Sequence, residues 1–227
     1  LGDFETKFLI ETGIEAGANI DDQLQAWKWE RQKRLRTPFY EGTFLQCATT
    51  FGQLKAMKAL IDVGANLEQS SGGYPCALLC SIKHLPAAKL LLKEGADTRC
   101  TTTDKDTVLH FAAHHGSVEA MKLFLEHDPG LDVSAKNYHG ETPLHVAAEC
   151  GHGDAVKFLL ARGANVNDEY EHSEFGKVTP LNLAAYNPNP SRETLNALIL
   201  CERIELNNEE LYDDELIEQL HKPECLS

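Results

Sequence analysis

The sequence predicts an all-α fold: a solenoid of about five helix–turn–helix units, each preceded by a turn finger. Three observations carry that expectation. A phrase close to Thr-Pro-Leu-His-x-Ala-Ala starts near positions 43, 74, 107, 142 and 179, and a near-constant period of this length marks stacked repeats. Behind each start, apolar residues recur at helical spacing, and in three units a Gly-Ala-Asn or Gly-Ala-Asp stop closes the pattern. Hydrophobic residues make up 42% and charged residues 25% of the 227 positions. That composition suits a folded chain and excludes wholesale disorder.

Along the chain, residues 1–20 form a partial unit, because Gly17-Ala18-Asn19 matches only the end of a repeat. Residues 21–42 are an insert holding both tryptophans, Trp27 and Trp29, and a basic cluster of Lys28, Arg31, Lys33, Arg34 and Arg36. A short helix is expected to end before Pro38. Two readings of the insert stand: the tryptophans pack on the first full repeat with the cations in water, or the cluster docks an anionic ligand. The unit at Thr43 runs through Gly52 to Gly64-Ala65-Asn66. The unit at Tyr74 replaces Leu-His by Cys76-Ala77 and carries Lys83 where a turn glycine is expected.

The unit at Thr107 has Val108 for proline, then Met121 to Leu125, and Asp128-Pro129-Gly130 implies an altered finger. In the best unit Thr142 caps a helix whose first turn takes Pro143, where a missing N–H costs nothing. Ala147 and Ala148 permit close helix approach, Val156, Leu159 and Leu160 form an i, i+3, i+4 stripe, and Gly163 stops the second helix. Before the unit at Thr179, the loop from Asp168 to Val178 is long and holds Tyr170, His172 and Phe175. Asn187 to Ser191 then lengthens the inter-helix turn. Residues 206–227 are expected to form an acidic capping helix with Leu211, Tyr212, Leu216, Ile217 and Leu220 inward, or else a docking helix for a partner.

The combination of Thr142-Pro143-Leu144-His145 with Gly151-His152 and Leu159-Leu160…Gly163-Ala164…Val166-Asn167 resembles the ankyrin repeat, and the resemblance covers residues 43–205. It implies helix pairs stacked side by side and a non-catalytic protein-interaction module, an adaptor or scaffold that binds a peptide segment or protein surface on its concave finger and first-helix face. Mapped position by position, the exposed finger candidates are Phe39, Tyr40, Ser71, Asp104, Asp106, Tyr138, His139, Glu141 and Phe175. The first-helix ends add Thr50, Phe51, Ser81, His114, His115, Glu149, Cys150, Tyr186 and Asn187. His110 and His145 are given a structural role between fingers. Asn167 matches the position at which some family members are hydroxylated, so it is a modification candidate. Leu198 to Arg203 resembles the opening of a SOCS box, yet the segment after Arg203 is acidic and lacks the later Leu-Pro element.

Charge and cysteine usage narrow the classes further. The formal net charge of −14 argues against wrapping bare phosphate backbone and favours a basic or amphipathic partner segment. Seven cysteines, an odd number, suit buried thiols in a reducing compartment, cytoplasm or nucleus. Cys76 and Cys80 lie one turn apart without a second pair at zinc-finger spacing, so neither a metal nor a cofactor is expected. His114 and His115 diverge on a helix, and the sequence shows no Walker A, H-E-x-x-H or G-x-S-x-G phrase. No apolar run reaches the length of a membrane span, and residues 1–19 lack the pattern of a signal peptide. Leu1 stands where a methionine would begin a chain, which raises a longer parent as an expectation. The main reading is thus a monomeric interaction module. The alternatives are a regulatory or targeting part of a larger enzyme or ubiquitin-ligase adaptor, and anionic-ligand docking through residues 28–36.

Overall fold

The computed structural model describes residues 43–70, 75–172, 175–187 and 190–200. The partial repeat at 1–20, the basic insert at 21–42 and the capping segment at 206–227 lie outside the described residues. The chain divides into two compact units between Thr103 and Asp104, a boundary that no shift in composition marks.

The first unit holds two helix pairs: α1 (Phe44–Thr50) with α2 (Leu54–Asp62), and α3 (Ala77–Cys80) with α4 (Leu85–Lys93). The second holds three: α5 (Val108–His114) with α6 (Val118–His127), α7 (Pro143–Glu149) with α8 (Gly153–Ala161), and α9 (Pro180–Tyr186) with α10 (Arg192–Ile199). Within each unit, first helices stack on first helices and second on second, so α1 meets α3, α5 meets α7 and α7 meets α9, while α2 meets α4 and α8 meets α10. None of the described helices is long and apolar enough to cross a membrane.

Local chemistry explains why first helices start where they do. Thr43, Thr107, Thr142 and Thr179 are N-caps in extended conformation, each followed three residues later by Gln46, His110, His145 or Asn182. The side chain of that third residue accepts the threonine's backbone N–H, at 2.7 Å for Gln46 and 2.8 Å for Asn182. Gln, His and Asn occupy one motif position because each offers an acceptor at the right reach for a capping box. The far end of the side chain then serves the next repeat. His110 Nε2 lies 3.0 Å from the Glu141 carbonyl, and Gln46 Nε2 donates to the carbonyls of Gln69 and Pro75. Replacing Thr107 by Ala removes one half of such a box and should cost about 1 kcal/mol in urea unfolding.

The second helices bury the stripes that the periodicity predicts. Val156 and Leu159 are fully buried, while Leu160 is only half-buried. In α6 the equivalent residues are Met121, Phe124 and Leu125, with Met121 and Phe124 wholly enclosed. Ala112, Ala113, Ala147 and Ala148 are also fully buried, small enough to let first helices approach closely. Gly163 stops α8 at a φ of 88°, in the left-handed region.

Two elements depart from the standard unit. Helix α3 has four residues and begins at the Cys76 N-cap. The long loop before the last unit folds into an antiparallel ribbon, β1 (Tyr170–His172) and β2 (Gly176–Val178), pairing Tyr170 with Val178 and His172 with Gly176. Its alternation buries Tyr170 and Val178 against Leu183, with Phe175 packed alongside, while Glu171 and Lys177 stay in water. Lys105 has a φ of 63° and is the sole described non-glycine residue at positive φ; the matching finger position in the next repeat is Gly140, at 89°. Replacing Lys105 by Gly should therefore relieve strain and raise the urea midpoint, by about 1 kcal/mol of stability.

Candidate functional site

The fingers and first-helix ends of the second unit gather most of the residues that the sequence singles out. The finger ahead of α7 is built around Asn137, which is buried. Its Oδ1 accepts the N–H groups of His139 and Glu141, each at 3.0 Å. Its Nδ2 donates to Asp106 Oδ1 and Glu141 Oε2, each at 2.9 Å. One amide thus holds two carboxylates together and fixes the turn on which Tyr138 stands, 74% exposed. The Tyr138 N–H donates to the Asp104 carbonyl at 2.6 Å, which joins this finger to the preceding one.

From there a row of rings leads outward. His145 meets Tyr170 edge to face at 5.1 Å between centroids, His172 stacks on Phe175 at 4.8 Å, and Phe175 lies 4.1 Å from Tyr186. Tyr186 ends α9 and is 55% exposed. Edge and offset contacts of this kind fix ring orientation at little entropic cost. Burial, followed by the Glu141 charge, pushes the Tyr170 phenol up, so Tyr170 is a neutral packing residue.

The helix ends are stitched by residues of the turns between first and second helices. His152 Nε2 lies 3.1 Å from the His114 carbonyl, and Asn187 Nδ2 donates to the Glu149 carbonyl at 2.9 Å. In the first unit His84 Nε2 plays the same part toward the Thr50 carbonyl at 3.0 Å. His114 Nδ1 also lies 3.4 Å from Cys150 Sγ. Desolvation first, and then the Glu141 charge, push the Glu149 carboxyl up; His114 and His172 pull it the other way. Glu149 is exposed and within electrostatic reach of Glu141, His114 and His172.

Exposure separates the remaining candidates. Asp104, His114, His139 and Glu149 are exposed, whereas Asp106, His115, Glu141, Cys150 and Phe175 are half-buried. His115 Nδ1 lies 3.1 Å from the Phe111 carbonyl. In the first unit Phe51 is 45% exposed and Thr50 is half-buried, with its hydroxyl on the Gln46 carbonyl. Ser81 corrects the expectation of an exposed position: it is fully buried and its hydroxyl donates to the Leu78 carbonyl at 2.6 Å. Ser81 is the C-cap of the four-residue α3 and turns its hydroxyl onto that helix's own carbonyl. Asn167 lies half-buried on a finger with its N–H on Asn165 Oδ1. Phe39, Tyr40, Ser71, Lys28, Arg31, Lys33, Arg34 and Arg36 lie outside the described residues.

Sequence reasoning passed over Asn137, His152 and the first-unit group of Glu68, Cys76 and Cys100, whose ligand atoms all lie within 4.8 Å of one another. Aligning the repeats exposes one signal: Cys76 stands where the other units carry the buried leucines Leu45, Leu109 and Leu144.

Stacked helix pairs joined by turn fingers, with variable rings and carboxylates at the finger tips and helix ends, define a helical repeat protein built to present a surface. The family model described as Ankyrin repeats (3 copies) matches residues 76–170, so that stretch carries ankyrin repeats. Among its relatives is delta-latroinsectotoxin-Lt1a of Latrodectus tredecimguttatus, 33% identical over 57% of this chain and 10% of the toxin. A putative ankyrin repeat protein of Rickettsia felis is 25% identical over 57% of this chain and 44% of its own length. The transient receptor potential cation channel subfamily A member 1 of Drosophila melanogaster is 33% identical over 51% of this chain and 10% of the channel. The chain thus spans less than half the length of each. Ankyrin repeats generally mediate protein–protein interaction and are typically non-catalytic.

Proposed function

We propose that the second unit binds a basic or amphipathic segment of a partner protein along its fingers and first-helix ends, with Tyr138, Phe175 and Tyr186 as anchors. The supporting observation is the ring row from His172 through Phe175 to the exposed Tyr186, in the same unit as the exposed carboxylate of Glu149. Aromatic side chains on a rigid support bury large area at low entropic cost and dominate binding energy. Asp104, Glu141 and Glu149 supply negative potential, which speeds encounter with a cationic segment more than it tightens the complex.

The test compares affinity capture by the wild-type chain with capture by a Tyr138→Ala/Phe175→Ala/Tyr186→Ala variant of unchanged helical content. A partner held by this face should lose at least about a hundredfold in affinity, given roughly 2 kcal/mol or more for a central aromatic anchor. Capture that is identical with the variant overturns the assignment.

A second reading concerns the larger context. Relatives named as a toxin and a cation channel carry the matched stretch as about a tenth of their length, which favours this chain's serving as the interaction part of a longer protein. An antibody to the second unit, used on a blot of the source tissue, would detect a band well above 25.2 kDa on this reading, and one at that mass would reject it.

A further inference from the structure

We propose that Glu68, Cys76 and Cys100 form a binding site for a divalent d-block cation of the zinc type, with a fourth coordination position open to water. The three residues come from separate segments of the first unit: the finger after α2, the N-cap of α3 and the loop after α4. Their donor atoms converge within 4.8 Å, a separation compatible with metal–ligand bonds of about 2.0–2.3 Å around one ion. Two thiolates with one carboxylate form a mixed soft and hard set that suits zinc and disfavours calcium or magnesium.

The supporting shell is already in place. The Asp97 N–H donates to Glu68 Oε1 at 2.9 Å, which orients the carboxylate without help from a ligand. Cys76 is buried, Cys100 half-buried and Glu68 exposed, which leaves an approach from solvent on the carboxylate side. Binding forms two metal–sulfur bonds and one metal–oxygen bond and releases the two thiol protons. No electron is transferred.

The test titrates the reduced full chain with Co²⁺ and follows the sulfur-to-metal charge-transfer absorption. The expected result is one Co²⁺ per chain, displaced by Zn²⁺, with the band intact in Cys47→Ser/Cys150→Ser. It should vanish in Cys76→Ser and in Cys100→Ala, the latter sparing the buried core. Glu68→Gln should keep a thiolate band but weaken binding by about tenfold or more. A band that persists without Cys76 and Cys100 overturns the site. So does the absence of a band in wild type, or a Cys76–Cys100 disulfide that forms equally fast with and without Zn²⁺.

Discussion

Phe124→Ala should lower the stability of the second unit by about 3–5 kcal/mol. Phe124 is the largest fully buried side chain among the described residues. It sits on α6, which packs against both α5 and α8, so truncation leaves a void that neither neighbour can fill without moving. The loss combines the transfer energy of the ring with the cavity left behind. It is a large share of the roughly 5–15 kcal/mol that holds an ordinary domain together. Phe158 provides the internal comparison. It is half-buried on α8, with the Arg162 guanidinium 4.7 Å above its ring, and Phe158→Ala should cost only about 1 kcal/mol. Urea unfolding followed by circular dichroism separates the two. Equal losses at both positions would mean that α6 is not the packed centre of this unit.

Acidification from pH 7 to pH 4 should cost a further large part of the stability, through His145. Burial holds its imidazole at about 4, against an ordinary value of 6.5, helped by the nearby Lys136 and His110; the Val178 and Asp168 carbonyls oppose the shift. Nδ1 lies 3.2 Å from the Thr142 nitrogen and accepts its N–H, so the neutral ring carries its proton on Nε2. Below pH 6.5 the unfolded chain takes up a proton that the folded chain refuses, so stability falls as pH drops through the interval from 6.5 to about 4, and levels off below it. The full interval corresponds to about 3 kcal/mol, and His110, lowered by burial as well, adds in the same sense. His145→Gln tests this directly, because Gln46 fills the same capping position in the first described unit. The variant should retain the helix start and lose most of the dependence on pH. Parallel wild-type and variant curves of stability against pH would reject the assignment.

The cap threonines, the second-helix stripes and the helix stops were legible from sequence because they depend on interactions within three or four residues, and the repeat prints them several times. The motif histidine shows how far such reading extends. Its recurrence identifies a structural position, but its double duty, accepting at Nδ1 within its own turn and facing a carbonyl of the next finger from Nε2, emerges only when two repeats are stacked.

The candidate face was legible in part. Tyr138 and Tyr186 stand in the open, as their motif positions suggest, while Ser81, the C-cap of the short α3, is buried. The sequence by itself determined the repeat, its period, its caps and the variable positions at its edge, since local hydrogen bonding and side-chain volume dictate them. Only the tertiary structure decided that Asn137 ties Asp106 to Glu141, that the long finger becomes a ribbon carrying rings toward Tyr186, and that Cys76 meets Cys100 beside Glu68. Those meetings join residues that helix packing, and not adjacency along the chain, brings together.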